Sequence, residues 1–159
     1  MAKDSAKLER AVNVYQRFVA TLREKGWNFD AKDDDLVIVS SYQGDDFPIN
    51  FIFHVDPDRE CITFCSEKFA KFPDDKLSDA AYATAVANHG MTFGHFDLDL
   101  SDGSVFYAWS DSYIDSELGD GYFIFLLSIA LSTVDRYNDR FIMLAKGLID
   151  LRKFIEIDG

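Results

Sequence analysis

The chain of 159 residues is poor in the residues that staple or punctuate a fold. It has only two cysteines, Cys61 and Cys65, four residues apart in a stretch that reads as a strand. Four strand residues span about 13 Å, too far for a local disulfide, so a reduced, cytoplasmic protein is expected. With 3 Pro and 9 Gly there is no low-complexity linker, and a single domain over 1–159 is the simplest organisation, with 147–159 as a C-terminal extension. No repeat is visible. The segment from Met1 to Arg10 lacks the apolar core of a signal peptide. The longest apolar run, Tyr122 to Val134, contains Ser128, Ser132 and Thr133 and falls short of the roughly 20 residues that cross a bilayer. No membrane partner is expected.

Positive charge is also scarce where it would matter for nucleic acid. The net charge is −12, and residues 26–120 alone carry 5 Lys/Arg against 20 Asp/Glu. Such a surface repels phosphate backbones, which argues against nucleic acid and anionic lipid, and it attracts basic protein segments. Aromatic residues, in contrast, are plentiful: 15 Phe among 48% hydrophobic residues exclude a disordered chain and point to a ring-rich core.

Periodicity gives the elements. Leu8, Ala11, Val12, Tyr15, Phe18, Val19 and Leu22 share one helical face, and a helix is expected over 7–25, stopped by Gly26. Three strands follow at Leu36–Tyr42, Ile49–Val55 and Cys61–Ser66, with strict alternation in the second. The short, turn-rich links between them favour an antiparallel meander. After Pro73, a helix near Leu77–His89 has Leu77, Ala81, Ala85 and Asn88 on its expected buried side. Alternation from His95 to Leu100, Asp102-Gly103 as a two-residue turn, and Val105, Tyr107 and Trp109 on a return strand make a hairpin. A long helix, about Tyr122–Lys146, has Gly147 as its stop, and the tail Leu148–Ile157 offers one or two further helical turns. The expectation is an α+β fold in the order α-β-β-β-α-β-β-α: an antiparallel sheet of about five strands with helices on one side.

Candidate chemistry is thin. Asp97, Asp99, Asp102 and Gly103 imitate a calcium loop, but Asp102 stands where that loop wants Gly and Ala108 where it wants Glu; a polar strand face is the better reading. Asp33-Asp34-Asp35 and Asp45-Asp46 read as solvated connections. His54 and His95 could meet across the sheet with Cys61 or Cys65 as zinc ligands, and His89 lies on a separate element, yet no pair has ligand spacing. Gly119-Asp120-Gly121 hints at a phosphate loop, but Glu117 and Asp120 would repel an anion, which favours a helix start with Asp120 on the dipole. No nucleophile, base and acid sit in a catalytic context. No enzyme, metal or cofactor is expected.

The stretch from Asn88-His89-Gly90 through Phe93, the alternating His95–Leu100, Asp102-Gly103 and Val105-Phe106-Tyr107 resembles the YbjN family, which belongs with the type III secretion chaperone-like folds. Pro73 and Asp135-Arg136-Tyr137 in the last helix fit the same pattern, and the tail beyond Gly147 departs from it. The resemblance implies a small, non-enzymatic protein-binding module, chaperone-like and paired as a homodimer, or alternatively a regulatory or sensory scaffold in a bacterial signalling complex. The residues themselves single out the start of the last helix. Tyr122, Phe123, Phe125 and Leu126 belong to a run that is apolar all round, and such a helix is either covered by a second molecule or buried under the first helix and the tail. Cover by a partner or a second copy is the favoured reading, with a protein or peptide as the partner.

Overall fold

A computed structural model describes residues 2–158. They form α1 (Ala2–Glu24), β1 (Phe29–Lys32), β2 (Val37–Gln43), β3 (Pro48–Asp56), β4 (Cys61–Ser66), β5 (Ala70–Lys71), α2 (Leu77–Asn88), β6 (His95–Asp99), β7 (Ser104–Ser112), α3 (Asp120–Ala145) and α4 (Leu151–Asp158). All pairings are antiparallel, and the main order is β1-β2-β3-β4-β7. β7 takes β6 on its other edge, while β5 continues beyond β4 on the first. The break between β4 and β5 is bridged by a side chain, because the Tyr107 N–H donates to Ser66 Oγ at 2.9 Å.

Alternation decides which face is covered. Ile49, Phe51, Phe53 and Val55 on β3, Ile62 and Phe64 on β4, and Val105, Tyr107 and Trp109 on β7 are buried. They lie under α1 and α3. Phe18 of α1, Phe53 of β3 and Phe123 of α3 meet at the centre, all fully buried, with ring centroids 4.0 and 4.8 Å from Phe18. The intervening strand residues face away from the helices.

Among the described residues the sheet has seven strands rather than about five. β1 and β5 were missed because Phe29-Asp30-Ala31-Lys32 and the pair Ala70-Lys71 are too short and too poor in β-formers to show a period. Leu36, expected to open a strand, instead ends a 3₁₀ turn over Asp33–Asp35 with φ of 53°. Leu8, expected on the buried face of α1, is exposed. On α2 the buried side is Ala80, Ala83 and Ala87, not Ala81 and Ala85, which are exposed. Alanines ring this helix almost evenly, so the sequence carries little contrast, and its neighbours α4 and β6 fix the rotation. The hairpin turn is a four-residue loop, Leu100–Gly103, closed by the Asp99–Ser104 pair. Asp99 Oδ1 accepts from the Ser101 N–H and hydroxyl, the Asp99 carbonyl accepts from Gly103 N–H, and Gly103 takes φ of 74°. Gly147 stops α3 with φ of 71°, as expected, and the tail makes α4.

Two residues of the recognised pattern are structural clamps. The Asn88 amide at the end of α2 brackets the backbone of Phe96: Nδ2 donates to the carbonyl at 2.9 Å, and Oδ1 accepts from the N–H at 2.7 Å. Asp135 on α3 accepts from the Asp45 N–H at 3.0 Å, and Gly44 leaves room for it, since a Cβ there would collide with the carboxylate. Asn88→Ala strips two partly buried backbone groups of their partner and is expected to cost about 1–3 kcal/mol in urea unfolding. Phe154, fully buried on α4 and 5.0 Å from Phe141, ties the tail to the core. Phe154→Ala should cost about 3–5 kcal/mol in the same measurement; a loss under 1 kcal/mol would mean that the tail is only laid on the surface.

Candidate protein-binding surface

The start of α3 is set by an extended Gly119 as N-cap, whose carbonyl accepts from the N–H groups of Tyr122 and Phe123. Asp120 follows in the first turn, on the positive end of the helix dipole. Its carboxylate accepts from Thr21 Oγ1 at 3.2 Å and lies 3.9 Å from Arg17, which ties this end to α1.

The four residues singled out on this turn divide. Phe123 and Leu126 have no exposed surface; they point onto the sheet beneath α1, so neither is available to a partner. The physical reason is that α1 crosses α3 at this point and supplies Phe18 as a lid. Tyr122 is half-buried, and its hydroxyl donates to Asp111 Oδ2 at 2.9 Å. Burial, then that carboxylate, raises its pKa well above the ordinary phenol value. Phe125 remains exposed at 40%.

Two surface features flank α3 here. On one side Phe125 stands edge-on to Phe93 at 5.1 Å, and Phe93 stacks on Trp109 at 5.1 Å. Phe93 is itself 40% exposed, so two rings of this trio face solvent. On the other side lies a groove of about 520 Å³ between the end of α1 and α3, with Trp27, Tyr42, Ile124, Leu127 and Leu131 in its walls and Lys25 and Asp135 at its rim. Trp27 stacks on Tyr42 at 6.0 Å, and Ile124 is 37% exposed. A groove of this size, apolar with a few polar groups at the mouth, has room for one or two large side chains. Sequence reasoning passed over Trp27, Tyr42 and Phe93. Each lies outside a periodic run or at its end, and only the tertiary fold gathers them.

The other candidates do not converge. The register sets His54 opposite Thr63 and then Ser110, while His95 lies opposite Ala108 and then Cys65. His54 and His95 are therefore three strand spacings apart, about 14 Å, and do not meet. Cys61 and Cys65 lie on the helix-free face; His89 follows the last residue of α2. Among the described residues no three His, Cys, Asp or Glu side chains form a metal-holding group. Asp99 and Asp102 are bridged by Lys68 Nζ at 2.7 and 3.1 Å. Lys68 holds Asp99 well below the usual carboxylate range, so an ammonium fills the place that a cation would need. Asp33 accepts from the Tyr15 hydroxyl at 2.8 Å, and Asp45 and Asp46 lie in the β2–β3 loop. No helix among the described residues is long and apolar enough to cross a membrane.

Burial raises the pKa of both thiols, with Asp56 beside Cys61 and Asp97 beside Cys65 adding to it. Alkylation by iodoacetamide at neutral pH should therefore be slow at both and should accelerate only in strong base; rapid labelling of either, read by mass spectrometry, contradicts this environment. The division on α3 is tested by two truncations. Phe123→Ala should lose about 3–5 kcal/mol of stability, while Phe125→Ser should lose under about 1 kcal/mol.

No curated protein matches this chain in sequence. A chain in the crystal structure of the ExsC–ExsE complex superposes on it with a TM-score of 0.59 and 13% identity, over 81% of this chain and 93% of that one. At that identity the likeness is one of fold, an antiparallel sheet with flanking helices. The model of the YbjN family, described as "Putative bacterial sensory transduction regulator", matches residues 15–143, from the middle of α1 almost to the end of α3, and the chain belongs to that family.

Proposed function

We propose that this chain is a non-enzymatic, cytoplasmic protein-binding module that acts as a homodimer. The groove beside the start of α3 carries this reading: Trp27, Tyr42 and Ile124 leave apolar surface open, with Lys25 and Asp135 at its rim. A partner's apolar residue fills the groove, and the acidic middle of the chain steers its basic flank. The exposed rings of Phe93 and Phe125, on the opposite side of α3, form the contact between copies. The fold shared with a chain of the ExsC–ExsE complex supports a protein as the partner. The description of the family favours a second reading within the same class, in which the module holds a partner in a signalling assembly without acting as its chaperone.

Light scattering at micromolar concentration should return twice the 18.1 kDa chain mass, and Phe125→Asp should return a monomer. A monomer at every concentration would end the dimer reading. Affinity capture from the native cell should retain a protein on the wild-type chain that Ile124→Asp loses. Identical retention by both, or by neither, removes the groove from the account.

A further inference from the structure

The helix-free face of the sheet carries an exposed apolar patch. Its residues lie in cross-strand rows, and one row is apolar across four neighbouring strands. Val39 on β2 is opposite Ile52 on β3, Ile52 is opposite Cys65 on β4, and Cys65 is opposite Ala108 on β7. The row is about 14 Å long. Ile52, large and β-branched in the middle of the sheet, is 48% exposed, and Val39, Cys65 and Ala108 are each partly exposed. Val37 and Phe106 widen the patch on either side. Burial keeps the Cys65 thiol neutral, so it counts as a small apolar group here.

The rim carries the charge. The row itself runs out to Asp30 on β1, opposite Val39, and to His95 on β6, opposite Ala108; Asp97 stands opposite Phe106, and Asp56 and Glu67 lie to either side of the row. Against these four carboxylates stand Lys32 on β1 and Arg59, whose guanidinium lies 3.9 Å from Asp56; His95 lies 3.3 Å from Asp97, and His54 sits in the neighbouring row. A second copy would bring the same acidic rim against this one and be repelled, whereas Lys or Arg beside apolar anchors would be attracted. We propose that this face docks a protein segment whose apolar residues cover the Val39–Ile52–Cys65–Ala108 row and whose flanks carry Lys or Arg. This rests on the protein-binding reading above and adds a second place of contact to it.

The test uses the full chain and two fluorescein-labelled peptides with the same leucine anchors, one flanked by lysines and the other by glutamates. The lysine peptide should bind, more weakly as salt rises, and the glutamate peptide should not. Ile52→Asn should weaken binding about tenfold, and Ala108→Gln on the same row should weaken it too. Tyr82→Ser, on an exposed part of α2, should leave it unchanged. Far-UV circular dichroism establishes that each variant is folded. Amide shifts on adding the lysine peptide should map to β2, β3, β4 and β7. Binding weakened by Ile124→Asp but not by Ile52→Asn overturns this assignment and leaves the protein-binding reading standing. Equal binding of the two peptides, or of neither, overturns it as well. Shifts on this face that follow the concentration of the protein alone would make the occupant a second copy and overturn the partner chemistry.

Discussion

Everything in this fold is hung on the contact among Phe18, Phe53 and Phe123. These rings come from the first helix, the central strand and the last long helix, and each is fully buried. Aromatic groups of this size supply much of the apolar area that a chain of this length can bury, and tilted ring pairs add a directional component. The trio fixes α1 across α3 and both onto one face of the sheet. The placement of the groove follows, because its walls are the edges of those two helices and the end of β2. So does the bareness of the other sheet face, whose residues are partly exposed on β3, β4 and β7.

Electrostatics acts on this frame in two ways. Inside the fold, charges are used in local ties. Glu60, nearly buried in the β3–β4 turn with φ of 51°, takes Arg10 and Lys7 from α1, and Lys68 joins two aspartates across the β6–β7 loop. Outside it, acids outnumber bases: residues 26–120 carry 20 Asp/Glu against 5 Lys/Arg. The apolar surfaces on the helix side and on the open sheet face thus sit within a field of one sign, which selects among partners by charge before shape is felt.

Much of this was legible in the sequence, and the part that was not has physical causes. The long elements announced themselves because half-buried strands and amphipathic helices impose periods of 2 and 3.6; β3, β4, α1 and α3 lie within a few residues of their expected bounds. Elements without a period, β1 and β5, were invisible. The rotation of α2 was misread because small residues surround it. The apolar start of α3 drew attention correctly, but a helix that is apolar all round cannot say which of its residues another helix will cover. Phe123 and Leu126 went to the core, while Ile124 and Phe125 did not. The clamps at Asn88 and Asp135 were recognised only as parts of a family pattern; their role lies in hydrogen bonds to residues 8 and 90 positions away.

The Asn88 clamp has a consequence for how these sheets add to one another. Phe96 sits on the outermost strand, and its backbone N–H and carbonyl on the side away from β7 are the groups that an incoming strand would need. Asn88 occupies both with a side-chain amide of the same chain, so that edge offers no template at Phe96. The opposite edge, β1, carries no such plug among the described residues. Head-to-tail pairing of β1 of one sheet with β6 of another, the geometry that would run on into a fibre, would meet this side-chain amide at Phe96.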